Sequence, residues 1–279
     1  MIAVGERLLT TIGGISVEIL RGGLGKPTLL LHGFQTISPK APFLSELAKH
    51  CSYLAPSLPG FGASKRPQNF DTIYDLVRHT LDLIDAIPGN SVTLIGFSFG
   101  GWLAAEAAVT RPAKLDRLIL VDPVGIRISD RETRDILDIF NLHPDVVRAK
   151  TFFDPDRFAP DFDALDDDEL VTYARNRDAL CLYTWNPLLY NPQLKGWLRR
   201  ISAPTLVLWG AADGIVAPDY GRAYAGLIPN ARFALIENAG HQPEIEQPAK
   251  FVAEVIEFMR GDRCRSEDSR PCEPFMVAR

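Results

Sequence analysis

Cysteine, excess basic charge and long apolar runs are all scarce in this sequence, and each shortage excludes a class of protein. Only 4 of the 279 residues are cysteines, none in C-x-x-C spacing, so we expect neither a zinc site nor a disulfide framework. Cys264 and Cys272 are near enough in sequence to pair, but free thiols are expected in a reducing compartment. A net charge of −5 provides no general attraction for nucleic acid or an anionic membrane. No apolar run approaches the ~20 residues that span a bilayer, and no basic leader opens the chain, so we expect a cytoplasmic protein.

Apolar runs alternate with segments of helical periodicity along most of the chain. This alternation predicts right-handed crossovers and an α/β fold, with a mostly parallel central sheet flanked by helices. The predicted strands are residues 15–20, 28–31, 53–58, 92–95, 118–121, 205–209 and 233–236. The predicted helices are residues 43–49, 73–87, 102–109, 220–227 and 249–259.

The alternation fails between residues 124 and 200, where the chain is aromatic, acidic and helical in tendency. Because the strand pattern resumes afterwards, residues 1–123 and 201–260 are predicted to form one core domain, and residues 124–200 a helical lid inserted into it. Residues 261–279 are rich in charge and proline, which predicts a disordered tail. The sequence leaves the oligomeric state open between a monomer and a homodimer.

A serine between two glycines joins an apolar run to a helical segment. Ser98 has Gly96 and Gly100 two residues to either side, follows the run 91–95, and precedes an alanine-rich stretch. This strand–serine–helix pattern is typical of a nucleophile elbow, whose tight turn requires small flanking residues. Ser98 is therefore predicted to be a catalytic nucleophile at a helix N-terminus.

A serine nucleophile needs a base, and the five histidines allow it to be chosen by elimination. His79 and His50 belong to predicted helices, His143 precedes a proline in the predicted lid, and His32 ends a buried strand. His241 lies in the loop after the last strand, at the carboxyl edge of the sheet, and is the predicted base.

Two aspartates compete for the role of the acid that orients the base. Asp213 and Asp122 each follow a strand and so lie at the same edge as Ser98. Asp213 is preferred because it gives the order serine, acid, histidine, whereas Asp122 adjoins Pro123 and can cap a turn. For the oxyanion hole we predict the backbone N–H of Phe99, directly after the nucleophile, and that of Phe34, in the loop after the strand at 28–31.

Taken together, these segments resemble the α/β-hydrolase superfamily, in its lid-bearing serine hydrolase branch. The resemblance covers residues 15–259 apart from the lid and is specific for the fold rather than for the substrate. The matching segments are His32-Gly33-Phe34, Leu58-Pro59-Gly60-Phe61-Gly62-Ala63-Ser64, Gly96-Phe97-Ser98-Phe99-Gly100-Gly101, Trp209-Gly210-Ala211-Ala212-Asp213, and Gly240-His241-Gln242-Pro243-Glu244-Ile245-Glu246-Gln247-Pro248.

The resemblance implies a serine hydrolase that acts on a small, largely hydrophobic ester or related acyl compound, without a metal or organic cofactor. The C–C bond hydrolases that act on aromatic ring-fission products are the first alternative. Phe97, Gln35 and Gln242 depart from their pattern, although Arg175 or Arg177 offers a site for an acidic substrate. A slow-turnover ligand receptor of the same fold is the second alternative. Phe97, Tyr183 and Trp185 are the predicted substrate-binding residues.

Overall fold

The structure is a computed structural model that describes residues 5–130 and 132–261, and a single eight-stranded sheet lies at its centre. The strands are β1 (Glu6–Ile12), β2 (Ile15–Gly22), β3 (Lys26–Leu31), β4 (Cys51–Pro56), β5 (Val92–Phe97), β6 (Leu115–Val121), β7 (Thr205–Gly210) and β8 (Ala231–Ile236). Their order in the sheet is β1-β2-β4-β3-β5-β6-β7-β8. The β1–β2 and β2–β4 pairings are antiparallel and all the others are parallel. The prediction of a mostly parallel sheet is confirmed.

Helices cover both faces of this sheet. They are α1 (Pro42–Leu47), α2 (Ile73–Ala86), α3 (Phe99–Val109), α4 (Pro144–Thr151), α5 (Pro155–Phe158), α6 (Asp167–Thr184), α7 (Leu194–Trp197), α8 (Pro218–Gly226), α9 (Pro243–Glu246) and α10 (Pro248–Arg260). On one face, α1 and α10 bury Leu44 and Phe251 against the strands. On the other face, α2, α3 and α8 bury Leu76, Leu103 and Tyr224. The central strands are covered on both sides, which is why their sequences are continuous apolar runs.

β1 is the strand that periodicity does not predict. Most of its residues are exposed or half-buried, and Leu9 is 65% exposed. β1 pairs with β2 and lies at the edge of the sheet. Because little of its surface faces the core, its sequence lacks the apolar pattern that marks the central strands.

Between β6 and β7 the chain forms helices, and its described residues contain two isolated β-bridges but no strand. This segment, residues 124–200, is called the helical insertion below. Buried polar contacts join it to the rest of the chain. The Tyr183 hydroxyl donates to the carbonyl of Pro59 at 3.0 Å, and the Asn191 amide donates to Oε1 of Glu106 at 2.7 Å. Its role as a lid, and the division of the chain into core and lid, stay predictions.

Other predictions concern membrane spans, thiols and the end of the chain. None of the helices in the described ranges has both the length and the apolar character needed to cross a membrane. Cys51 is a buried free thiol and Cys181 a half-buried one. Cys264 and Cys272 lie outside the described residues, as does the predicted disordered tail from residue 262 onward.

Candidate active site

Ser98 lies in the turn between β5 and α3, in a strained backbone conformation. Its φ is 50° and its ψ is −110°, a region that costs a residue with a Cβ about 1–3 kcal/mol. The flanking glycines provide the space that the turn needs. A Cβ on Gly96 would collide with the carbonyl of Gly100, and a Cβ on Gly100 with that of Leu31. The chain therefore makes the predicted sharp turn and presents Ser98 at the carboxyl edge of the sheet.

The ring of His241 lies between Ser98 and Asp213. His241 Nε2 is 2.8 Å from Ser98 Oγ, and His241 Nδ1 is 2.7 Å from Asp213 Oδ2. The side chain of Asp213 is fully buried, and its Oδ1 accepts the backbone N–H groups of Ile215 and Val216 at 2.8 and 3.0 Å. A carboxylate at Nδ1 requires a proton on that nitrogen, which leaves Nε2 free to accept the hydroxyl proton of Ser98. The structure thus brings these three predicted side chains together in the predicted order.

The loop after β3 passes close to Ser98 and carries the second predicted oxyanion donor. A Cβ on Gly33 would lie 3.3 Å from the Cβ of Ser98. Phe99 begins α3, so its N–H has no acceptor one turn earlier in the helix. Within residues 5–130 and 132–261, the N–H groups of Phe34 and Phe99 make no hydrogen bond outside regular secondary structure. Both remain available to a ligand oxygen beside Ser98.

A family comparison agrees with this geometry. Residues 28–255 match the sequence profile of the alpha/beta hydrolase family. The chain belongs to the alpha/beta hydrolase family. The matched range includes Ser98, Asp213 and His241, together with the whole helical insertion.

Two curated relatives of this hydrolase-family protein have different stated substrates. The 2-hydroxy-6-oxo-2,4-heptadienoate hydrolase of Pseudomonas putida is 27% identical over 274 residues, which cover 90% of this chain and 95% of the relative. The pimeloyl-[acyl-carrier protein] methyl ester esterase of Nitrosospira multiformis is 26% identical over 267 residues, which cover 89% of this chain and 100% of the relative.

A solved structure extends the comparison to the fold. A serine hydrolase involved in carbazole degradation has a TM-score of 0.72 at 23% identity, over 91% of this chain and 98% of that one. This likeness shows a shared fold.

The loop that carries His241 is fixed to the helical insertion by residues to which the sequence assigned no role. The backbone N–H of His241 donates to the carbonyl of Thr151 at 2.6 Å. Glu246 is buried, and its Oε1 accepts the N–H groups of Phe153 and Asp154, while its Oε2 accepts the N–H of Gly240. Glu246 falls within a segment that resembles the family, but sequence alone does not show that it binds backbone 90 residues away.

Carboxylates around His241 determine its protonation. Burial by itself lowers the pKa of His241, but the charge and hydrogen bond of Asp213, together with the charge of Glu244, raise it above its usual value. Burial raises the pKa of Glu244 to about 7. Glu244 therefore titrates near physiological pH, while the carboxylates around His241 favour its protonated form.

Asp122, Asp213 and His241 are also close enough to be considered as metal ligands. Carboxylate oxygens of the two aspartates and a ring nitrogen of His241 lie within 4.8 Å of one another. Both ring nitrogens of His241 already have hydrogen-bond partners, in Ser98 and Asp213. A metal ion here would have to break one of those hydrogen bonds, so the donor set fits an acid–base site better than a metal site.

The positions of the three residues predicted to bind substrate do not support that role. Phe97 is 5% exposed and packs against Phe43 and Phe251 in the core beneath α1 and α10. Tyr183 is 5% exposed and stacks on Phe61, and its hydroxyl donates to the carbonyl of Pro59. The side chain of Trp185 is 66% exposed. Alternation along β5 and the register of α6 turn the first two side chains into the core, whereas the third faces solvent.

Helix α6 of the helical insertion contacts the loop after β3 that carries Phe34, called the Phe34 loop below. Asn176 is fully buried; its amide donates to Oε1 of Gln35 at 2.7 Å, and its Oδ1 accepts the N–H of Gly62 at 2.9 Å. Arg175 donates to the carbonyl of Gly62, and Arg177 lies over the ring of Phe140. Each of the two arginines considered for an acidic substrate thus has a protein partner.

His32, directly after β3, has both of its ring nitrogens hydrogen-bonded within the protein. His32 is buried, donates through Nδ1 to the carbonyl of Gly33, and accepts the N–H of Leu58 at Nε2. Burial lowers the pKa of His32 to about 4, so the ring is neutral at physiological pH. Both nitrogens of the neutral ring are satisfied, and the ring fixes the start of the Phe34 loop.

Proposed function

We propose that this protein is a serine hydrolase that cleaves a small, largely hydrophobic ester through an acyl-enzyme. Ser98 Oγ attacks the ester carbonyl carbon while its proton passes to His241 Nε2, and the N–H groups of Phe34 and Phe99 bind the resulting oxyanion. The tetrahedral intermediate expels the alkoxide, which takes the proton from His241. Water then gives a proton to His241 and attacks the acyl carbon, and the acid is released as Ser98 recovers its proton.

One observation carries this proposal: the chain of two hydrogen bonds from Ser98 through His241 to Asp213. Their lengths, 2.8 and 2.7 Å, lie within the range required for proton transfer from nucleophile to base and for orientation of that base. The raised pKa of His241 suits a group that must accept a proton from serine and then return it to a leaving group.

The surroundings of the Phe34 loop support a mainly apolar substrate. The ring of Phe34 packs edge-on against Tyr173 with centroids 5.2 Å apart, and Tyr173 packs against Phe162 at 4.9 Å. These contacts place aromatic surface from the insertion next to the loop that carries a proposed oxyanion donor. An apolar acyl group fits such surroundings better than a charged one.

Hydrolysis of a C–C bond is the second candidate, and the relatives favour it. Besides the heptadienoate hydrolase described above, a 2-hydroxymuconate semialdehyde hydrolase of Pseudomonas sp. (strain CF600) is 26% identical over 263 residues. A dienoate substrate carries a carboxylate, which needs a cationic partner. Arg175 gives one of its five N–H donors to the carbonyl of Gly62, so its other donors could bind this carboxylate.

A panel of p-nitrophenyl esters of increasing acyl length, assayed beside one ring-fission product, tests the proposal. We expect turnover of the esters with a preference for apolar acyl groups, and a loss of about 10⁴-fold or more in Ser98→Ala. Cleavage of the ring-fission product without ester turnover would favour the C–C hydrolase. A burst of one p-nitrophenol per chain followed by very slow turnover would favour the ligand receptor. Unchanged ester turnover in Ser98→Ala would reject the serine mechanism.

A further inference from the structure

Two aspartates, not one, lie behind His241 at neighbouring strand ends. Asp213 follows β7, and Asp122 follows β6 with a φ of 43°. The Asp122 side chain is fully buried, and the proposed mechanism gives it no role. The inference drawn from this pair rests on the proposed function of Asp213 as the acid that orients His241.

The two carboxyl groups differ in the donors that they receive. Asp213 accepts two backbone N–H groups at Oδ1 and the ring nitrogen of His241 at Oδ2. Asp122 accepts only the N–H of Gly210 at Oδ1, at 2.9 Å, and its buried Oδ2 has no partner among the described residues. Asp213 is thus surrounded as an ionised carboxylate should be, whereas Asp122 has an oxygen that lacks a hydrogen.

Close, buried carboxylates do not both ionise at neutral pH. An oxygen of each aspartate lies within 4.8 Å of the other and of a nitrogen of His241. Two negative charges at this separation in a buried site repel each other strongly, so one proton is retained by the pair. Burial raises the pKa of Asp122 well above its usual range, and the charges of Asp213 and Glu244 raise it further, against the hydrogen bond from Gly210.

We propose that Asp122 is a protonated carboxylic acid whose Oδ2 hydroxyl donates a hydrogen bond to the Asp213 carboxylate, and that it thereby positions the acid that orients His241. The proton supplies the missing partner of Oδ2 and leaves the pair with a single negative charge. That charge is held on Asp213, where it faces the imidazole. Asp122 follows β6 and accepts the N–H of Gly210 at the end of β7. The proposed hydrogen bond from Asp122 to Asp213 therefore fixes Asp213 relative to these two strands. Asp122 is a positioning residue and touches no reacting atom.

Paired asparagine substitutions separate the two roles. Asp213→Asn removes the charge that holds the imidazole tautomer, and we expect kcat to fall by about 10⁴-fold, as when the acid of a triad becomes an amide. Asp122→Leu removes the donor to Asp213, and we expect kcat to fall about 10–100-fold with little change in KM. Asp122→Asn keeps an acceptor for Gly210 and a donor for Asp213, so it should recover most of the activity lost in Asp122→Leu. A loss in Asp122→Asn as large as that in Asp213→Asn would overturn the proposal, because Asp122 would then act through its charge.

Infrared difference spectroscopy tests the protonation without an assay of turnover. Two proteins are compared, the Ser98→Ala variant and the same variant carrying Asp122→Asn, and the second spectrum is subtracted from the first. Both spectra are recorded at a pH well above the pKa of Glu244, which is about 7. We expect the carbonyl stretch of a protonated carboxyl group, shifted in heavy water. A carboxylate band in its place would overturn the proposal, even if Asp122→Leu fails to fold. Since both proteins lack Ser98, failure of the proposed hydrolysis would leave this result standing, so the two failures are distinguishable.

Discussion

The positions of side chains at the carboxyl edge of the sheet and of side chains in the helical insertion are determined by different contacts. At the edge, Ser98, Asp213 and His241 each follow a strand, so the register of the sheet fixes where each one lies. The insertion instead joins the body through scattered contacts such as those of Tyr183 and Asn176. Side chains at strand ends can be placed from the order of the strands, whereas those of the insertion depend on packing between distant segments.

Alanine at the glycines should show this difference most strongly. We expect Gly96→Ala or Gly100→Ala to lower the free energy of unfolding by about 3 kcal/mol or more, because the new Cβ meets rigid backbone. Gly196 in α7 is the matched control, since a Cβ there meets nothing within 4 Å. Gly196→Ala should be neutral or stabilise the protein by about 0.5–1 kcal/mol. Urea unfolding measures the free energy of unfolding of the three variants. A loss of stability in Gly196→Ala as large as in Gly96→Ala or Gly100→Ala would contradict the prediction.

The second prediction concerns Glu246, where the two regions meet. Glu246→Ala leaves three backbone N–H groups without their acceptor, so we expect a loss of about 2–3 kcal/mol in stability. It should also lower kcat, because the His241 loop loses its attachment to the insertion. Glu257→Ala is the control, since this exposed glutamate pairs with Arg232 at the surface and its loss should cost under about 0.5 kcal/mol. Urea unfolding and ester kinetics check both results, and a Glu246→Ala protein as stable and active as the parent would show that the link is dispensable.

The third prediction concerns the pKa of His241, which the charge of Glu244 raises. His241 must be neutral to act as a base, so kcat/KM should fall as the pH decreases through its raised pKa. Glu244→Gln removes a negative charge that raises this pKa, and the acid limb of the profile should therefore move to lower pH. Glu237→Gln alters an exposed carboxylate and should leave the limb in place. Movement of the limb to higher pH in Glu244→Gln would contradict the assignment.

The smallest effects are expected in the insertion. Tyr183→Phe removes the hydrogen bond to Pro59 and should cost about 0.5–1.5 kcal/mol in stability. Trp185→Ala removes an exposed ring and should change stability by under about 0.5 kcal/mol, with kcat/KM within about twofold of the parent. Thermal unfolding and ester kinetics measure both. A tenfold rise in KM for Trp185→Ala would return this residue to the substrate site.

The sequence predicts the edge well because its signals are local. Glycines around Ser98 mark a turn that only small residues permit, and Asp213 and His241 follow runs that read plainly as strands. The central strands are predicted within a few residues of their observed ends. β1 is missed because its exposed face carries no apolar pattern.

The remainder could not be predicted because it depends on contacts between distant parts of the chain. Neither the link from Glu246 to Phe153 nor that from Asn176 to Gln35 has a local sequence signal. The assignment of Phe97 to the substrate site finds no support in its packing against Phe43, because adjacency to Ser98 in sequence does not decide which face of the sheet receives a side chain. The choice between Asp122 and Asp213 rested on chain order, and the structure adds that both lie beside His241.

Covalent labelling with a fluorophosphonate, followed by intact-mass and peptide mass spectrometry, tests the central claim most directly. The proposed mechanism predicts one adduct per chain, on the peptide that contains Ser98, formed much more slowly in Asp213→Asn and absent in Ser98→Ala. An ester-hydrolysing protein that gains no adduct, or gains it at another residue, would contradict the account.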